Sequence, residues 1–87
     1  MKVYESLCWI WDDYEASDYD IKNIGLYSTI ELAKESIEKT YIDRISSTDE
    51  IITLNEMQKT REDDVFNLFV KSKRYEFRFR IIEREVT

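Results

Sequence analysis

The chain has 87 residues, which is room for one domain around one core and no second domain. It contains no His, no Pro, one Gly and one Cys, which removes the commonest general base, the commonest metal ligand and any glycine-rich phosphate loop. Net charge is −6, yet 43% hydrophobic and 14% aromatic residues exclude a disordered chain despite the 37% charged content.

No apolar run is long enough to cross a bilayer, and no charged-then-apolar leader pattern opens the sequence. Cys8, between Leu7 and Trp9, reads as a buried inert thiol, so the expected compartment is the cytoplasm. A core this small leaves a thin stability margin unless copies associate, for example as a homodimer.

The charge is uneven. Residues 71–87 hold six bases (Lys71, Lys73, Arg74, Arg78, Arg80, Arg84) and three acids (Glu76, Glu83, Glu85). Residues 1–70 keep the other seven bases against sixteen acids, a local −9. The first part repels nucleic acid and attracts basic surfaces, and the last fifth does the opposite.

Val3 to Trp11 alternates as a strand, with Val3, Glu5, Leu7, Trp9 and Trp11 on one face and Tyr4, Ser6, Cys8 and Ile10 on the other. Asp12 to Asp20 has five carboxylates and two tyrosines and no tight-turn dipeptide, so it reads as a long acidic loop. Ile21 to Tyr27 is a second strand, antiparallel to the first, in which Gly25 implies a bulge or a close approach.

Ser28-Thr29-Ile30-Glu31 has the form of a capping box, with Ser28 as N-cap and Tyr27 and Leu32 as a hydrophobic staple. The helix it starts aligns Ile30, Ala33, Ile37, Tyr41 and Ile45 and ends near Arg44 to Ser46. Ser47-Thr48-Asp49-Glu50 repeats the capping pattern and predicts a second helix over residues 48–59, with a strand through Ile51 to Leu54 as the competitor.

Over residues 60–73, acids at one end and Lys71 and Lys73 at the other suit a helix dipole, which favours a third helix. The rival is a strand in which Phe66, Leu68 and Val70 share a face. Tyr75 to Ile82 is the clearest strand, with Tyr75, Phe77, Phe79 and Ile81 opposite Glu76, Arg78, Arg80 and Ile82.

These elements predict a single α+β domain over residues 1–87: an antiparallel sheet of three or more strands with one to three helices packed on one face. The expected core is Val3, Leu7, Trp9, Ile24, Leu26, Ile30, Ala33, Ile37, Tyr41, Phe66, Phe69, Phe77, Phe79 and Ile81.

The opening Met1-Lys2-Val3-Tyr4, the segment Ile24-Gly25-Leu26-Tyr27-Ser28-Thr29 and the helix with Ala33 and Ile37 resemble a group of small uncharacterised bacterial and phage proteins. The resemblance covers about the first half of the chain. It implies a small α+β domain and, at most, frequent residence on phages or mobile elements, and it implies no catalytic residue.

Three clusters carry candidate chemistry. Asp12, Asp13, Glu15, Asp18 and Asp20 are hard-cation ligands by type, but their spacing departs from a calcium loop, so no metal is expected. Together with Trp11, Tyr14 and Tyr19 they form an acidic, aromatic surface suited to a basic protein partner. Glu31, Glu35 and Glu38, one turn apart on the helix, imitate a row of phosphates or form an ordinary wet face. Lys71, Lys73, Arg74, Arg78 and Arg80 suit nucleic-acid phosphates, with Phe77 and Phe79 able to stack only if exposed.

No spacing assembles a triad or a hydrolase set, so neither enzyme nor cofactor is expected. The leading expectation is a non-enzymatic acidic inhibitor of phage or mobile-element type. Its carboxylates would block a nucleic-acid-binding host defence protein, in the anti-CRISPR or anti-restriction manner. The alternatives are a small nucleic-acid-binding module using the basic last strand, against which the net charge argues, or a structural or regulatory domain.

Overall fold

The computed structural model describes residues 1–12, 20–48, 50–59 and 61–86. Five strands form one antiparallel sheet: β1 (Lys2–Asp12), β2 (Asp20–Tyr27), β3 (Ile51–Glu56), β4 (Asp64–Ser72) and β5 (Tyr75–Glu85), in the order β2-β1-β5-β4-β3. The two longest strands, β1 and β5, lie at the centre and pair from Lys2 opposite Glu85 to Asp12 opposite Tyr75. Between β2 and β3 run α1 (Ile30–Ile37), a π-helical turn (Glu38–Ile42) and α2 (Asp43–Thr48). The α+β expectation is met.

The helical segment covers one face of the sheet. Small residues draw it in: Ser6, Cys8 and Ala33 have no exposed surface, and the Ser6 hydroxyl donates to the Ala33 carbonyl at 3.4 Å. Around them Ile37, Ile45, Leu68, Val70, Phe77, Phe79 and Ile81 complete the core. The Tyr41 ring meets Phe79 edge-on at 5.4 Å, and Phe77 lies parallel to Phe79 at 6.1 Å. Burying each large side chain here contributes about 1.5–3 kcal/mol.

The sheet face chosen by the helix corrects the expected core. Val3, Leu7, Trp9 and Phe69 lie on the opposite face and are only half-buried, and Leu26 is 61% exposed. The more apolar face of β1 is not the covered one, because a helix backbone approaches Ser6 and Cys8 more closely than it approaches indole rings.

Two expected helices are strands. Residues 48–59 contain β3, and residues 60–73 contain β4. Burial of Leu68 and Val70 opposite Phe79 and Phe77 outweighs the favourable charge order of a helix. The helix cap also shifts by one residue. Thr29, extended at φ −136°, accepts the Leu32 amide at 3.1 Å, while Ser28 is exposed.

Among the described residues, three bulges shape the sheet. One falls beside Gly25, where Ser6 faces Gly25 and Leu7 faces Asn23, leaving Ile24 as the extra residue. A side chain at Gly25 would meet the Tyr27 hydroxyl at 3.0 Å, so the expected bulge and close approach are both present. A second bulge lies at Ile52 in β3. The third makes Val65 the extra residue of β4, so Asp64 and Phe66, two apart, point to opposite faces. Among the described residues, no helix is long and apolar enough to cross a membrane.

Candidate functional site: the helix-free face of the sheet

Strand register brings charged and aromatic side chains together on the face that the helices leave open. Across β1 and β5, Trp9 stands opposite Arg78, Leu7 opposite Arg80 and Trp11 opposite Glu76. Across β5 and β4, Arg78 stands opposite Phe69 and Arg80 opposite Asn67. Arg78 is therefore flanked in a row by Trp9 on one side and Phe69 on the other. Its guanidinium lies 6.0 Å from the Phe69 ring centre, and that of Arg80 lies 5.4 Å from the Trp9 ring.

One corner of this face is closed over by the connection between β3 and β4. The Met57 amide donates to the Asn67 carbonyl at 2.9 Å, and the Asn67 side-chain amide donates to the Gln58 carbonyl at 3.1 Å. Beneath it sits Asp64, whose side chain has no exposed surface. Its carboxylate pairs with Arg80, which is 15% exposed, and accepts the Arg61 amide at 3.2 Å and the Asn67 amide group at 3.4 Å. The Val65 bulge turns Asp64 to this side; unbroken alternation would place it among Phe66, Leu68 and Val70.

The connection and the sheet enclose a concavity of about 250 Å³ lined by Trp9, Met57, Arg61, Asn67, Arg78 and Arg80. Two of its lining residues each have a buried polar atom without a hydrogen-bond partner, Asn67 Oδ1 and Arg80 Nε. The Asn67 orientation follows from its neighbours: both groups facing its nitrogen are acceptors, so its oxygen must face the other way.

The predicted site residues divide between two sides of the sheet. Arg78 and Arg80 belong to the open face, and Lys71, opposite Glu76, shares it. Lys73 and Arg74 lie at the turn between β4 and β5, where Lys73 pairs with Glu50 at 3.1 Å and Arg74 lies over the Tyr75 ring at 5.1 Å. Glu5 bonds Arg84 at 2.7 Å, and Arg80 pairs with Asp64. Phe77 and Phe79 are 6% and 0% exposed on the helix side, so they do not stack with anything external. The rings on the other face are Trp9 and Phe69, both half-buried.

Glu31, Glu35 and Glu38 are exposed on the helix. Glu35 is bonded to Lys39 at 2.5 Å, and the carboxylate holds the Lys39 ammonium pKa above its ordinary value. Lys34 is drawn over the Phe66 ring at 4.7 Å. Trp11 is half-buried on the open face. Asp13, Tyr14, Glu15, Asp18 and Tyr19 lie outside the described residues, as do the side chains of Asp12 and Asp20. Among the described residues, no three carboxylate or thiol groups come together where they could hold a metal.

Sequence reasoning missed Arg61, Asp64, Asn67 and the availability of Trp9. A signal existed in β4: Asp64 and Asn67 are polar residues set inside an apolar alternation. No family model, curated protein or solved structure matches the chain.

Proposed function

We propose that the protein is a non-enzymatic binding module that takes a single strand of nucleic acid on the helix-free face of its sheet. The observation that carries this reading is the row Trp9–Arg78–Phe69 across three adjacent strands. Rings supply stacking for bases, and a guanidinium between them supplies a phosphate contact. An open sheet face at the centre of the fold also holds these side chains in fixed register, so little order is lost on binding.

The magnitudes point to weak, salt-sensitive association. Two stacked bases at about 2 kcal/mol each contribute about 4 kcal/mol, which corresponds to a Kd of about 1 mM, with the arginine–phosphate contacts at low salt set against the −6 charge. Two exposed arginines, Arg61 and Arg78, give a log–log salt slope of about −1.4 for a single strand. Fluorescence anisotropy with labelled oligo-dT or oligo-U of about ten nucleotides at low salt measures both. Binding that weakens at least about fivefold in Arg78→Ala supports the reading, and no saturable signal at about 1 mM protein refutes it.

A second reading rests on the other side of the molecule. Glu31, Glu35 and Glu38 stand exposed along the helix. With the acid-rich first part of the chain, they support an acidic inhibitor that occupies the nucleic-acid groove of a host defence protein, as phage and mobile-element inhibitors do. Here the triple variant E31Q/E35Q/E38Q abolishes capture of a basic partner from host lysate while Arg78→Ala retains it. The opposite pattern returns the function to the open face.

A further inference from the structure

We infer that the concavity between the β3–β4 connection and Trp9 is a seat for one nucleotide, its base against the Trp9 ring and its phosphate on Arg61 and Arg78. This rests on the open-face reading and makes it specific. The hollow, about 250 Å³, is smaller than the usual site of a drug-sized molecule and suits a single flat ring system rather than an extended cofactor.

The electrostatics select the ligand class. Three arginines (Arg61, Arg78, Arg80) line the hollow, and the neighbouring carboxylate of Asp64 is already bonded to Arg80. Arg61 and Arg78 are exposed, so the excess positive charge faces outward and calls for an anion, not a metal ion. Trp9 adds the aromatic wall that inorganic phosphate does not need and a base does.

The side chains under the hollow are held in place. Arg80 and Asn67 stand opposite each other across β5 and β4 and both line it. Asp64 bonds both, and the Gln58 carbonyl accepts the Asn67 amide group, so this part of the wall is ordered before a ligand arrives.

The probes are AMP, GMP, CMP and UMP, with the matching nucleosides and inorganic phosphate as controls. They are titrated into the intact chain while the two tryptophan indole N–H resonances are followed by NMR. The expected result is a saturable shift of one indole signal, assigned to Trp9, with half-saturation at or below about 1 mM. The nucleosides bind at least about threefold more weakly, and Arg61→Ala and Arg78→Ala each weaken the monophosphates about fivefold. Both variants change exposed side chains, and their folded spectra provide the control.

Inorganic phosphate competing as well as a monophosphate would overturn the seat, because stacking would then contribute nothing. So would indole shifts indifferent to both arginine variants, or no saturation at about 10 mM. Oligo-U binding in the absence of monophosphate binding removes the seat and leaves the open-face reading standing. Monophosphate binding without oligonucleotide binding does the reverse. If both bind, a gain above about thirtyfold for the oligonucleotide identifies a strand as the source, and a smaller gain identifies the free mononucleotide.

Discussion

Asp64→Ala tests how the open face is held together. Asp64 is fully buried at its side chain and is bonded to Arg80, the Arg61 amide and Asn67. Removing it leaves the Arg80 guanidinium without its counter-charge while only 15% exposed. Removing one partner of a buried pair costs about 3–5 kcal/mol, and the residual solvent contact of Arg80 places this case near the lower end, about 3 kcal/mol.

A chain of 87 residues has a total stability of about 4–13 kcal/mol, so the variant loses between about a fifth and about three-quarters of it. With a urea slope of about 1.5 kcal/mol/M, the unfolding midpoint falls by about 2 M. The double variant Asp64→Leu/Arg80→Met, which removes both charges, recovers most of that loss. A midpoint shift under about 0.5 M for Asp64→Ala, or additive losses in the double variant, would refute the reasoning.

Further outcomes follow from the helix and its packing. Thr29→Ala deletes the side-chain acceptor of the Leu32 amide and costs about 1 kcal/mol, whereas Ser28→Ala stays within about 0.5 kcal/mol; paired urea melts separate the two. Burial raises the Tyr41 phenol pKa above its ordinary 10.0, with a smaller contribution from Cys8. The folded state therefore holds that proton more tightly. Its contribution is fully present below pH 10 and is lost as pH climbs through the raised value. Urea midpoints measured between about pH 9 and pH 11 should fall less steeply in Tyr41→Phe than in the unaltered chain.

The parts of the fold that sequence revealed are those whose signals are local. β5 carries plain alternation, β1 and β2 are rich in branched and aromatic residues, and α1 carries Ile30, Ala33 and Ile37 at helical spacing behind a cluster of capping residues. β3 was hidden because it is an edge strand, with Ile52 and Leu54 exposed and Asn55 and Glu56 free to look helical. β4 did show Phe66, Leu68 and Val70 in alternation, but Asp63, Asp64 and Lys71 arranged themselves as a helix dipole would like.

The site was less legible than the fold. Trp9 meets Arg78 only through strand register, a relation between residues sixty-nine positions apart. Asp64 reaches Arg80 only through a bulge, and no local rule announces that Val65 is the extra residue. The helix-side preference for Ser6 and Cys8 was also invisible, since hydrophobicity alone ranks the Trp9 face higher.

The π-helical turn at Glu38–Ile42, where the Asp43 amide reaches back five residues to Glu38, carries a consequence for chain length. At about 100° per residue, the eight steps from Ile37 to Ile45 overrun two turns by about 80° in a regular helix, yet both residues are buried against the same sheet. The widened turn absorbs that overrun. Dropping exposed Thr40 would restore ordinary pitch and bring Ile45 seven steps from Ile37, again in line. The same loss within α1 would swing everything beyond it by about 100°. The segment thus contains one spare residue, and its position is the place where the helix can shorten while its anchors stay in phase.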